Sequence, residues 1–141
     1  MGSIGSTGEP PALERPAGSP GIVVAGVKSP RTHAVLSALA GVPNVVWQTS
    51  HDAALHCATT GDPACIIIAD ELDSGHALDL LICVRQREPA VAIYFVTDAG
   101  NIGDAVAGMR GGATTVVETP QSLQLLRHYV LGAVRQGRSG P

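Results

Sequence analysis

Residues 91–120 read VAIYFVTDAGNIGDAVAGMRGGATTVVETP, and this stretch decides the fold. It opens on an apolar run, Val91 to Val96, of strand length and rich in β-forming side chains. Thr97-Asp98-Ala99-Gly100 is loop chemistry. Ile102, Ala105, Val106 and Met109 then recur at helical spacing, which predicts a helix with Ala105, Val106 and Met109 turned to the core and Ala107 and Arg110 turned outward. Gly111-Gly112 stops that helix, and a second short β-rich run follows from Thr114 to Val117, closed by Thr119-Pro120. Strand, helix and strand within about thirty residues form a βαβ unit whose strands are parallel neighbours.

Working outward, the same alternation continues towards the N-terminus. Strands are predicted at Gly21–Val27, Asn44–Gln48 and Cys65–Ala69, the last apolar on both faces as a central parallel strand must be. Helices are predicted between them: Pro30–Ala40 with Pro at its start, one after Ser50 carrying Ala53, Ala54, Cys57 and Ala58, and one carrying Ala77, Leu78, Leu81 and Val84. A last amphipathic helix carries Leu123, Leu126, Tyr129, Val130, Ala133 and Val134. Five strands alternating with five helices imply an α/β, doubly wound parallel sheet. Ligands of such sheets bind beyond the carboxyl ends of the strands, here Ala25-Gly26, Ala69-Asp70, Thr97-Asp98 and Glu118-Thr119. Residues 1–20 are rich in Gly, Ser and Pro and read as a disordered tail, residues 21–136 as the folded domain, and residues 137–141 as a tail or linker stub.

Composition narrows the function. Of 141 residues 45% are hydrophobic, which suits a Val/Ile/Leu/Ala core, and the net charge of −3 argues against a strongly basic nucleic-acid surface. No apolar run reaches the length of a membrane span and no signal peptide is visible, so a cytoplasmic location is expected. Cys57, Cys65 and Cys83 show no C-x-x-C spacing and read as buried thiols.

Thr97, then Ala105-Val106, Met109, Gly112-Ala113 and finally Pro120 follow the order found in the receiver domain of two-component response regulators, which this chain resembles from about Gly21 to Gln136. The resemblance implies a flavodoxin-like three-layer sandwich. It also implies a phosphorylation site at the strand ends. There an acidic pair after the first strand holds Mg²⁺, an Asp ending the third strand accepts the phosphoryl group, a Thr or Ser ends the fourth, and a Lys ends the fifth. Carried over, the acidic pair falls on Ala25 and Gly26, the phosphoacceptor on Ala69, and the Lys on Thr119; only Thr97 keeps its type. Val116 stands where the family has a switching aromatic. Asp70 is one residue past the acceptor position, and strand alternation predicts that its carboxylate points elsewhere. Thr97 itself reads as a strand-end hydroxyl satisfying a backbone group.

Other patterns carry less. Gly21 to Ser29 misses a P-loop, because Val27 separates Gly26 from Lys28 and the four residues between the glycines are the strand itself. His51 and His56 are five apart and share no helix face. His76 near Asp70, Glu71 and Asp73 reads as a solvated acidic loop before it reads as a metal site. Arg127, His128, Arg135 and Arg138 complement the dipole of the last helix.

The expectation is therefore a degenerate, non-enzymatic receiver acting by protein contact, with no metal and no cofactor. Its partner or second copy would dock on the face of the fourth helix, fifth strand and fifth helix, through Ala107, Arg110, Arg127 and Tyr129. Two alternatives stay open: a receiver phosphorylated on Asp70, or a small-ligand domain using a neutral pocket at Ala25, Gly26, Thr97 and Thr119, either one serving as the regulatory part of a transcription factor.

Overall fold

The computed structural model describes residues 21–136; the tails expected at 1–20 and 137–141 lie outside the described residues. Five strands alternate with five helices: β1 Ile22–Ala25, α1 Pro30–Ala38, β2 Val45–Gln48, α2 His51–Thr60, β3 Cys65–Ile68, α3 Ala77–Arg87, β4 Ala92–Asp98, α4 Ile102–Gly111, β5 Thr115–Thr119 and α5 Leu123–Gln136. The strands form one all-parallel sheet in the order β2-β1-β3-β4-β5. This is the doubly wound α/β sheet that the alternation predicts, and β1 and β3, buried at every residue, are its centre.

The period of two along each strand divides the core. Val23, Ala25, Ile66, Ile68, Ile93 and Phe95 pack on one face with Ala54, Ala58, Leu80, Leu81 and Val84 of α2 and α3. Ile22, Val24, Cys65, Ile67, Tyr94 and Val96 pack on the other with Val35, Leu39, Leu126 and Val130 of α1 and α5. Of the three free cysteines only Cys65 is buried, which pushes its thiol up to about 12; Cys57 and Cys83 are half-buried, short of the expectation.

Polar side chains fix the ends. Ser29, Ser50 and Asn101 cap α1, α2 and α4 by accepting from Thr32, Ala53 and Asp104 N–H groups. Arg85 at the end of α3 donates to the carbonyls of Gly112, Pro89 and Val91 at 2.8–2.9 Å, tying α3 to the start of β4 and the end of α4.

The fourth helix corrects the reading of its apolar face. Val106 and Met109 are exposed, together with Ile102. The buried contact of α4 is Gly108, where an added Cβ would lie 2.5 Å from Phe95 Cδ2. The helix approaches the sheet through its smallest residue, so the larger apolar side chains at i, i+4 and i+7 are carried outward on a stripe of their own.

Candidate functional site

The carboxyl ends of the strands open into a cleft of about 530 Å³ whose lining includes Ser29, Arg31, Asp70, Asp98, Thr119 and Pro120. β1 ends at Ala25 and the chain turns through Gly26 into α1. A Cβ on Gly26 would meet Thr32 Oγ1 at 2.8 Å and the Asp70 nitrogen at 2.9 Å, so only glycine lets the turn pass this close to the end of β3. Ser29 and Arg31 at the start of α1 are thereby brought beside Asp70.

Asp70 lies in this cleft rather than away from it. Strand β3 ends at Ile68, so face alternation no longer governs a side chain two residues on. The Ser29 hydroxyl donates to Asp70 Oδ2 at 2.6 Å, while Arg31 Nη2 and the Glu71 N–H both donate to Oδ1 at 2.8 Å. Burial alone would raise the Asp70 pKa; the Ser29 and Glu71 hydrogen bonds and the Arg31 charge outweigh it and hold the group below the usual carboxylate range. Arg31 continues across the cleft, donating from Nε to the Ala69 carbonyl at 2.8 Å and placing Nη1 3.3 Å from Asp98 Oδ1.

The neutral pocket expected at these ends is thus a charged one. Ala25 and Ala69 are completely buried in opposite faces of the core, and Thr97 is buried. Of the four pocket residues expected, Thr119 lines the cleft. The two threonines also exchange roles. Thr119 Oγ1 donates to the Thr97 carbonyl at 3.3 Å, whereas Thr97 Oγ1 is buried with no hydrogen-bond partner among the described residues. Thr97 shares its strand face with Ile93 and Phe95, which turns its hydroxyl away from the backbone it was expected to satisfy.

The resemblance implies a divalent cation between acidic side chains here. The donor set does not fit one. Ala25, Gly26 and Ala69 offer no side-chain oxygen, and both oxygens of Asp70 are already bonded. No group of three or more His, Cys, Asp or Glu side chains among the described residues is placed to hold a metal ion. His76 Nδ1 stands 3.7 Å from Glu71 Oε1, and that same oxygen accepts the Ala77 N–H.

The expected docking residues divide between two sides of the molecule. Ala107 and Arg110 line a groove of about 390 Å³ between α3 and α4, with Leu78, Ile82 and Val106. Arg127 is exposed but reaches α1, donating to the carbonyls of Ala38 and Ala40. Tyr129 is half-buried and stacks on Tyr94 at 5.7 Å on the α1–α5 face. The sequence places Arg127 beside core-facing Leu126, which settles that it is exposed but not which neighbour it caps.

No family model matches the chain. Over 69 residues it is 32% identical to the photosynthetic apparatus regulatory protein RegA of Cereibacter sphaeroides, covering 49% of this chain and 38% of that protein. Over 75 residues it is 33% identical to the regulatory protein LuxO of Vibrio cholerae, covering 53% of this chain and 16% of that protein. The matched segments thus span less than half the length of these curated relatives. The receiver domain of NtrX from Brucella abortus matches with a TM-score of 0.68 at 22% identity, over 82% of this chain and 99% of that one. This chain has the receiver fold. Within that fold Asp70, Arg31 and Asp98 sit at the strand ends where the resemblance places phosphoryl chemistry. Among the described residues no helix is long and apolar enough to cross a membrane.

Proposed function

We propose that this chain is a receiver-type signalling module that works by protein contact without phosphorylation and without enzymatic activity. The observation that carries this reading is the state of the strand-end oxygens. Acyl-phosphate formation needs a carboxylate free to attack phosphorus and a cation free to hold the phosphoryl oxygens, whereas here Arg31 is already engaged by Ala69, Asp70 and Asp98. The acceptor position holds Ala69, and the one carboxylate beside it, Asp70, accepts from Ser29, Arg31 and Glu71.

The α3–α4 side supports contact as the mode of action. Ile102, Met109 and Val106, exposed at 72%, 52% and 43%, line up along α4 next to exposed Ile82. An exposed apolar stripe of this kind supports an interaction surface there. The proposed face is therefore α4 with the adjoining edge of α3, centred on Val106, Ala107 and Arg110, and Arg127 and Tyr129 do not belong to it. Residues 21–136 act as one regulatory unit in this reading, in keeping with relatives that are longer regulatory proteins.

Incubation with acetyl phosphate and Mg²⁺, followed by intact mass, tests the first half; no gain of a phosphoryl group is expected. A hydroxylamine-labile adduct on Asp70 would establish the phosphorylated alternative, which the position of its carboxylate in the cleft favours over any other residue. For the second half, Val106→Glu with Met109→Glu should abolish self-association or partner capture while leaving the fold intact. Undiminished association in the folded variant would place the surface elsewhere.

A further inference from the structure

We infer that the Arg31 guanidinium is the resident cation of the strand-end cleft, doing from within the chain the charge-pairing that a dissociable metal ion does in the receivers this chain resembles. All three guanidinium nitrogens are engaged: Nε with the Ala69 carbonyl at 2.8 Å, Nη2 with Asp70 Oδ1 at 2.8 Å, and Nη1 with Asp98 Oδ1 at 3.3 Å. One side chain thus joins the start of α1 to the ends of β3 and β4.

Local helix energetics do not explain an arginine there. Arg31 follows Pro30 in the first turn of α1, a turn without an acidic residue, where a cation opposes the helix dipole. The compensating charge comes from Asp70, thirty-nine residues away. Neither side chain of the pair is loosely solvated, at 20% and 19% exposure, which separates it from an ordinary surface ion pair. Asp98 is 72% exposed and adds the weaker half of the bridge.

A planar guanidinium holds a carboxylate and a neighbouring carbonyl in fixed directions. A bound ion can leave, so its site can have two states. A cation attached to the chain is present at a local concentration that never falls, so the cleft keeps one. This step rests on the unphosphorylated reading above but is tested independently of it.

The test is thermal unfolding of the full chain with EDTA or with Mg²⁺. Wild type should melt at the same temperature in both. Arg31→Met, which keeps the apolar stem and removes the charge, leaves the Asp70 and Asp98 carboxylates without the guanidinium they share. It should melt lower in EDTA and recover by roughly 5 °C at ten times the dissociation constant for Mg²⁺. Adding Asp98→Asn to Arg31→Met should remove that recovery, and Arg31→Lys should ignore Mg²⁺ as wild type does. If Arg31→Met does not fold, Arg31→Gln carries the same comparison. A wild-type rise with Mg²⁺, or a folded Arg31→Met that gains nothing from it, overturns the inference. A phosphoryl adduct on wild type would instead defeat the proposed function and leave the Arg31→Met response to be read by itself.

Discussion

Adding one methyl group to Gly108 probes how closely α4 lies on the sheet. The new Cβ would meet Phe95 Cδ2 at 2.5 Å, Cε2 at 3.1 Å and Cγ at 3.2 Å, against an ordinary carbon contact of about 3.5–4.0 Å. Phe95 is itself buried in the α2–α3 core and has no room to retreat. Overpacking of this kind costs about 1–3 kcal/mol, and the gain in helix propensity from Gly to Ala returns about 0.5–1 kcal/mol. The net expectation for Gly108→Ala is a loss of about 0.5–2 kcal/mol, read as a lower urea midpoint at unchanged m-value. Gly103 in the same helix is the internal control. Its Cβ would meet nothing closer than Asn101 Oδ1 at 3.9 Å, so Gly103→Ala should raise the midpoint. Shrinking the ring partner should rescue the first variant, with Phe95→Leu and Gly108→Ala together costing less than their sum. A Gly108→Ala protein at least as stable as wild type would show that α4 stands off the sheet. The outward stripe of Ile102, Val106 and Met109 would then need another explanation.

Two pH effects follow from groups shifted in opposite directions. Asp70 has its pKa lowered in the fold, so its contribution to stability is complete above the ordinary carboxylate value of about 4 and is lost as pH falls through the lower folded value. Urea midpoints taken down the acid limb should therefore fall more steeply for wild type than for Asp70→Asn, and parallel limbs would refute the pairing. Burial, with added repulsion from Cys65 and Tyr129, pushes the Tyr94 phenol up to about 12. Its neutral form is favoured in the fold, so that stability is intact below about 10 and lost as pH rises towards 12. Phenolate absorbance of this two-tyrosine chain should show one group ionising late, and Tyr94→Phe should remove that late step.

The sheet was legible because its signals are local. Cys65 to Ile68 is apolar at every position and had to be a strand covered on both faces, and Ser29, Ser50 and Gly112 marked helix ends by their own chemistry. Thr119 could be placed in the cleft from its position at a strand end alone. The site was less legible because its contacts span the chain. Nothing near Arg31 in sequence announces Asp70 or Asp98, and nothing near Arg127 announces the carbonyls of Ala38 and Ala40. Period counting found the apolar stripe of α4 correctly but assigned it to the core. That assignment assumes large side chains face the sheet, and here a glycine does. For Asp70 the error was to extend strand alternation past Ile68, where the strand had ended.

Trp47 gives the molecule an optical property of its own. The sole tryptophan sits on edge strand β2, its indole Nε1 donating to the Gly26 carbonyl at 2.8 Å and its ring set edge-on to His33 at 6.1 Å. Intrinsic fluorescence therefore reports the turn between β1 and α1, not the aliphatic interior. Emission and far-ultraviolet dichroism consequently watch different parts of the chain during denaturation. Coincident curves would mean that this rim melts with the sheet; an earlier optical transition would time its release, with no label attached.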